Sequence, residues 1–247
     1  MKRLSGLLIA TGLCLFAPAA FGQAALPGLI APPSPSLPPT ETIVANLVAQ
    51  GKWNERVVLS FDELRLFQAS NPRFKQQATR EVHTMFRAPD SYDSVVVKED
   101  GSKIIRERVF DPILDAEKEA QRAKEKNTHD ILPENYVFRA VAVDMCGERK
   151  CYRVAISPKR KDKFLLEGFI WVDAEDYGIA KVQGAPSRKP SFWTLRTQVT
   201  RTYARVGNVW MTKRIESESD IFVAGHSNLS IEYTYSSIQA DEQGSAK

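Results

Sequence analysis

The sequence predicts a mainly β fold: one strongly curled antiparallel sheet of about ten or eleven strands, accompanied by two helices. Three observations carry that prediction. From Glu134 to Ile238, apolar and polar residues alternate almost without interruption. The interruptions hold Gly, Asn and Asp, which tight turns between antiparallel neighbours require. Helical spacing occurs in two stretches, 40–51 and 111–127. No period of about 20–50 residues repeats, which argues against a propeller or solenoid.

In chain order, Met1-Lys2-Arg3 precedes an apolar run from Leu4 to Ala20 and then Phe21-Gly22-Gln23-Ala24. A basic start, a short apolar core and small residues at the exit define a secretory signal peptide over 1–22, cut after Gly22, with Ala24 as second choice. The run is too short and too broken by Gly and Pro for a bilayer span of about 20 residues. Cys14 follows Leu13, where a lipid-attachment site needs a small residue. A soluble periplasmic protein, not an integral membrane protein, is therefore expected.

Residues 23–39 form a Pro-rich linker that holds six of the 14 prolines between Leu26 and Pro39 and favours extended polyproline geometry. Thr40 is placed to cap a helix whose apolar face is Ile43, Val44, Leu47 and Val48, with Gly51 as its stop. Strands follow at 55–66, 78–88, 92–98 and 102–110, with Lys98-Glu99-Asp100-Gly101 as a turn. Asp111 and Pro112 then suit the start of a second helix. Its surface is charged and its stripe of Ile113, Ala116, Ala120 and Ala123 is thin, so it is either a solvated connector or a movable lid.

The remaining strands are expected at 134–145, 150–157, 164–173, 177–185, 191–205, 208–222 and 228–238, with a polar tail over 239–247. Cys146 and Cys151 flank a four-residue turn, where opposed strand positions come within disulfide range. Closing so small a loop contributes about 2 kcal/mol, enough to pin a turn. A redox pair or half a zinc site is the alternative, though a C-x-x-C spacing is lacking.

Strand 191–205 would span about 45 Å, and a sheet of such strands must curl, either closing into a barrel or leaving an open edge. One face of the last three strands reads Trp193, Leu195, Thr197, Val199, Arg201, Tyr203; Val209, Met211, Lys213, Ile215; and Leu229, Ile231, Tyr233, Tyr235. Ten of these stand out: Trp193, Leu195, Val199, Tyr203, Val209, Met211, Ile215, Leu229, Ile231 and Tyr233. These ten residues are the candidate lining of a hydrophobic cavity, because a barrel much larger than about eight strands is not filled by its own side chains. Such a cavity suits an acyl chain, since about 16 methylenes at ~0.8 kcal/mol each are worth on the order of 10 kcal/mol. That is comparable to what a membrane offers, as a shuttle requires.

Composition and motifs exclude several function classes. A formal charge of +4, part of it in the leader, gives no concentrated basic face for nucleic acid. His83, His129 and His226 lack metal-ligand spacing. Asp173, Glu175 and Asp176 sit in a loop too short for the twelve-residue calcium pattern. Gly225-His226-Ser227-Asn228-Leu229 lacks the last Gly of a nucleophile elbow and reads as a β-turn. No cofactor, metal or enzymatic activity is expected.

Gly168-Phe169-Ile170-Trp171-Val172-Asp173, the acidic turn, and Tyr177-Gly178-Ile179-Ala180-Lys181-Val182 resemble the LolA/LolB superfamily of periplasmic lipoprotein carriers. Val209-Trp210-Met211 and Ser230-Ile231-Glu232-Tyr233 fit as well, and the resemblance covers roughly 40–238. It implies an unclosed barrel, helices as a lid over its concave face, and acyl chains of lipoproteins or another amphiphile as cargo. Envelope membrane proteins would be further partners. The lid-latching arginine of that superfamily has three candidates, Arg139, Arg196 and Arg201. The alternative reading is an envelope scaffold that uses the same half-barrel to hold a protein partner.

Overall fold

The computed structural model describes residues 37–122, 129–192 and 194–241. The signal peptide, most of the Pro-rich linker, Trp193 and the end of the polar tail lie outside the described residues.

The first helix, α1, is Thr40–Val57, and Ile43 and Leu47 are its buried face. Its ends differ from expectation in two ways. Pro39 occupies the cap position, while the Thr40 hydroxyl accepts a 2.9 Å bond from the Ala140 amide and ties the helix start to the sheet. Gly51 does not stop the helix. A helical glycine costs about 1 kcal/mol, and tertiary contacts of the following turn offset it. Asn54 exchanges two hydrogen bonds with the Trp210 backbone, at 3.0 and 2.7 Å, and Val57 is buried.

Ten strands follow: β1 Val58–Asn71, β2 Gln76–Arg87, β3 Ser91–Gly101, β4 Tyr136–Cys146, β5 Arg149–Pro158, β6 Leu166–Asp173, β7 Ile179–Pro186, β8 Thr194–Val206, β9 Val209–Ile221 and β10 Gly225–Ala240. All pair antiparallel in one sheet of order β3-β2-β1-β10-β9-β8-β7-β6-β5-β4. The mainly β antiparallel class and the strand number agree with the sequence reading. Two meanders, β1–β3 and β4–β10, are joined where β1 pairs β10. Strands β3 and β4, consecutive in sequence, thus stand at the two ends of the order.

The expected strand at 102–110 is helical instead. Lys103–Ile105 (α2) leads through a π-helical turn, Arg106–Phe110, into Asp111–Arg122 (α3). β-Branched and aromatic residues give 102–110 the look of a strand. Ile105, Phe110 and Leu114, however, fall on one helical face and are buried together. The cap is Ser102, whose hydroxyl accepts from the Ile105 amide, so Asp111 and Pro112 are interior. Proline inside a helix clashes with the carbonyl four residues back. The wider π turn immediately before it, where the Asp111 amide reaches the Arg106 carbonyl, relieves that crowding. The buried stripe of this helix runs through Leu114, which the thin alanine stripe left out.

Gly101 ends β3 with φ +84°, where any Cβ would run into the Gln77 carbonyl, so the expected turn becomes a strand-to-helix corner. Cys146 and Cys151 form a disulfide with Cα atoms 6.0 Å apart. They are diagonal, not opposed: Cys146 faces Arg149 and Cys151 faces Asp144. Asp173 in the acidic turn is buried, holds Arg149 at 2.5 and 2.6 Å, and accepts from the Glu175 and Asp176 amides. That turn is closed by its own bonds. Gly225–Leu229 is the start of β10, paired with β9, and not a β-turn.

Candidate functional site

One cross-strand row defines the helix-bearing face through all ten strands: Ala140, Val154, Ile170, Val182, Arg201, Ile215, Ile231, Phe67, Arg80 and Glu99. At one end α1 packs Ile43 and Leu47 onto Val154, Ile170 and Val182. At the other, Ile105, Phe110 and Leu114 of the second helical segment pack onto Phe67, Val82 and Ile231. Between the two clusters the row passes through Arg201, which is exposed. The face therefore has two covers with an accessible strip between them.

The sequence-derived lining residues are divided among these clusters. Val199 and Tyr203 pack against the α1 cluster. Ile215, Leu229, Ile231 and Tyr233 lie in the cluster beneath α2 and α3. Val209 and Met211 pack with Val57 and Val58 where α1 runs into β1. Leu195 is 54% exposed, beside a register shift between Thr194 and Arg196. Nine of the ten are thus placed: eight lie in three separate clusters and Leu195 faces solvent.

Sequence reasoning missed a set of charged groups on this face. In β1 the residues alternating with the exposed side are Glu63, Arg65, Phe67 and Ala69, all buried. Arg65, 1% exposed, donates to both carboxylate oxygens of Glu117 on α3 at 2.9 and 2.7 Å and to the Ser94 hydroxyl at 3.3 Å. Its Nε lies 3.5 Å from Glu63. Arg80 on β2 donates to Asp111 of α3 at 2.6 Å and to Glu99 at 2.9 Å, and Glu99 also accepts from Arg106 at 2.6 Å. Two sheet arginines therefore latch the second helical segment. Arg139, Arg196 and Arg201 are all exposed and make no such bond among the described residues. The available signal was a charged pair on the apolar face of β1. The Glu117 partner of Arg65 lies 52 positions away in sequence, beyond reach of a local pattern.

The electrostatics of the latch are asymmetric. Burial pushes the Glu63 carboxyl up to about 7, with Arg65 opposing part of that rise. Burial also works against the charge of Arg65, yet Glu117 beside it holds the guanidinium above its ordinary range. Tyr92, Tyr233 and Tyr235 around them are pushed up by burial. An acid raised in the folded state binds its proton more tightly there than in the unfolded chain. The contribution of Glu63 is then fully favourable below pH 4.5 and is lost as pH rises through about 7. The expected result is a stability loss of ~3 kcal/mol between mildly acidic and mildly alkaline buffer. Urea melts across that range should show it, and Glu63→Gln should flatten the slope. A wild-type slope that persists in Glu63→Gln would assign the effect elsewhere.

No family model matches this chain, and no curated protein sequence matches it. Among solved structures it is similar to a DUF1329 family protein from Desulfovibrio piger, at 9% identity and a TM-score of 0.45 over 83% of this chain and 94% of that one. It is similar to a putative outer membrane lipoprotein-sorting protein domain from Vibrio parahaemolyticus, at 9% identity and a TM-score of 0.40 over 82% and 93%. A LolA superfamily protein from Nitrosomonas europaea is a third, at 8% identity and a TM-score of 0.36 over 83% and 95%. Two of these three carry the names to which the sequence resemblance led.

Proposed function

We propose that this is an exported, non-catalytic periplasmic carrier that takes an acyl chain of a lipoprotein or a similar amphiphile against the helix-bearing face of its sheet. The observation that carries the reading is the manner in which α2 and α3 are fastened. Their apolar face covers Phe67, Val82, Ile215 and Ile231, but ion pairs from Arg65 and Arg80 hold their polar side. Ion pairs can be exchanged for water at small net change, whereas apolar contact cannot. An acyl chain entering from the Arg201 strip can replace Ile105, Phe110 and Leu114 on the sheet, at ~0.8 kcal/mol per methylene covered. The segment then acts as a lid, the sheet as an unclosed half-barrel, and the leader as the address. Among the described residues no helix is long and apolar enough to cross a membrane.

A fluorescent C16 fatty acid titrated into the mature protein tests this. Saturable uptake is expected, and Ile215→Glu, a charge placed on the sheet floor beneath the second helical segment and next to the strip, should weaken it at least tenfold. Unaltered uptake by that variant would remove the floor assignment. The scaffold reading draws on a different observation. Both edge strands expose apolar residues, Val95, Val96 and Val97 on β3 and Val137, Val141 and Met145 on β4. Exposed edges of that kind accept a partner strand. Native mass spectrometry of protein drawn from its own envelope separates the two, through a retained lipid mass or a retained polypeptide mass.

A further inference from the structure

Trp171 and Lys181 alternate with Ile170, Val172 and Val182, which pack beneath α1, so they stand on the opposite face of the sheet. They head a second cross-strand row, Trp171, Lys181, Thr202 and Arg214, over β6 to β9. Together with Met145, Trp210, Arg205 and Lys213 this row lines an open cavity of about 620 Å³. That volume lies within the range of small-molecule sites. None of the lid machinery contributes to it.

Charge in the cavity is one-sided. Arg149 is committed to the acidic turn, which includes the cavity's own carboxylate, Asp173. Arg214 is shared between Glu216 and Glu232 at 2.9 Å each, and Arg205 leans on Asp176 at 3.5 Å. Lys181 rests 4.4 Å over the Trp171 ring. Neither Lys181 nor Lys213 has a carboxylate partner among the described residues. Two lysines without a carboxylate partner among the described residues therefore border the space, beside two arginines that are already paired. The aromatic wall is rigid. Trp210 donates from Nε1 to Asp176 at 3.0 Å, and its ring lies against Gly178, where any Cβ would collide with it.

We propose that this cavity binds a phosphate group carried on a larger organic body. Ammonium and guanidinium groups together suit a compact anion with several acceptor oxygens. Bare phosphate would fill a small part of the volume, and Met145, Trp171 and Trp210 offer an apolar wall to whatever bears it. A soluble phosphomonoester and a phospholipid headgroup share this chemistry.

The intrinsic fluorescence of Trp171 and Trp210 reports occupancy. The mature protein is titrated with sn-glycerol 3-phosphate and, separately, with vesicles of phosphatidylglycerol or of phosphatidylcholine. Saturable binding of glycerol phosphate, weakened at least tenfold in Lys181→Gln/Lys213→Gln, supports the site with a soluble ligand. Binding to phosphatidylglycerol but not phosphatidylcholine, with the same loss, supports it with a lipid headgroup. Two lysines on other elements, Lys98 and Lys103, serve as the control. Equal loss in Lys98→Gln/Lys103→Gln would show general charge attraction and overturn the site, as would no binding of either probe. Ile215→Glu should leave phosphate binding intact, so failure of the acyl site and failure of this one are read separately.

Discussion

Arg65→Met is expected to lower the free energy of unfolding by about 4 kcal/mol, because removing one member of a buried ion pair strands the others. Methionine keeps the apolar stem of the side chain but gives up the guanidinium that lies 5.5 Å over the Phe67 ring, so the change removes the charged head and its contacts. Glu117 is 29% exposed and recovers water once released. Glu63 does not, being almost wholly buried. With Arg65 gone nothing opposes its desolvation, and it should stay protonated to higher pH than in the wild type. Glu117→Gln, at the wetter end, should cost less, about 1–2 kcal/mol. Hydrogen exchange gives the decisive measurement. Amides of 103–122 should lose protection while those of α1 keep theirs, since α1 shares none of these bonds. A loss under about 1 kcal/mol, with protection unchanged, would mean that desolvation had already cancelled the attraction.

Phe110→Ala should cost a similar amount, about 4 kcal/mol, by a different mechanism. Phe110 is fully buried in the π-helical turn, edge-on to Phe67 at 5.6 Å between ring centroids, with the Arg80 guanidinium 5.5 Å over its ring. Truncation removes apolar contact between the second helical segment and the sheet and leaves a hole there. It also strips Arg80 of its aromatic support. Phe110→Leu refills most of the volume and should cost about 1.5 kcal/mol. In a carrier the emptied space is a gain for the ligand, so Phe110→Ala should take up the C16 probe more readily even as it melts earlier. Reduced uptake with reduced stability would instead mark Phe110 as part of the binding surface.

The contrast between these two residues shows what a one-dimensional reading reaches. Phe110 ends an expected strand at 102–110, and its true element was not legible. The run Ile104-Ile105 and Val109-Phe110 carries strand-like residue types, and the π turn adds a step that spoils a strict helical period. The interior Pro112 then looked like a helix start. Gly51 misled in the opposite sense, since its local cost was outweighed by Asn54 and Val57 docking beyond it. Arg65 lies in a strand whose alternation places it inward. Buried arginines are rare enough that attention goes to exposed ones such as Arg201. Its partner Glu117 sits 52 positions away.

Two kinds of information are therefore separable. The alternation, the turn residues and the cysteine spacing fixed locally that the chain forms antiparallel strands, where most of them turn, and that Cys146 joins Cys151. These follow from backbone periodicity and steric preference over a few residues. Tertiary structure alone decided that β1 pairs β10, that both helical segments lie on one face, and that Arg65 meets Glu117 there. It also gathered Lys181, Lys213 and two tryptophans around one cavity. Such meetings are set by packing of the whole sheet, where many remote contacts are chosen together and no short segment holds a preference of its own.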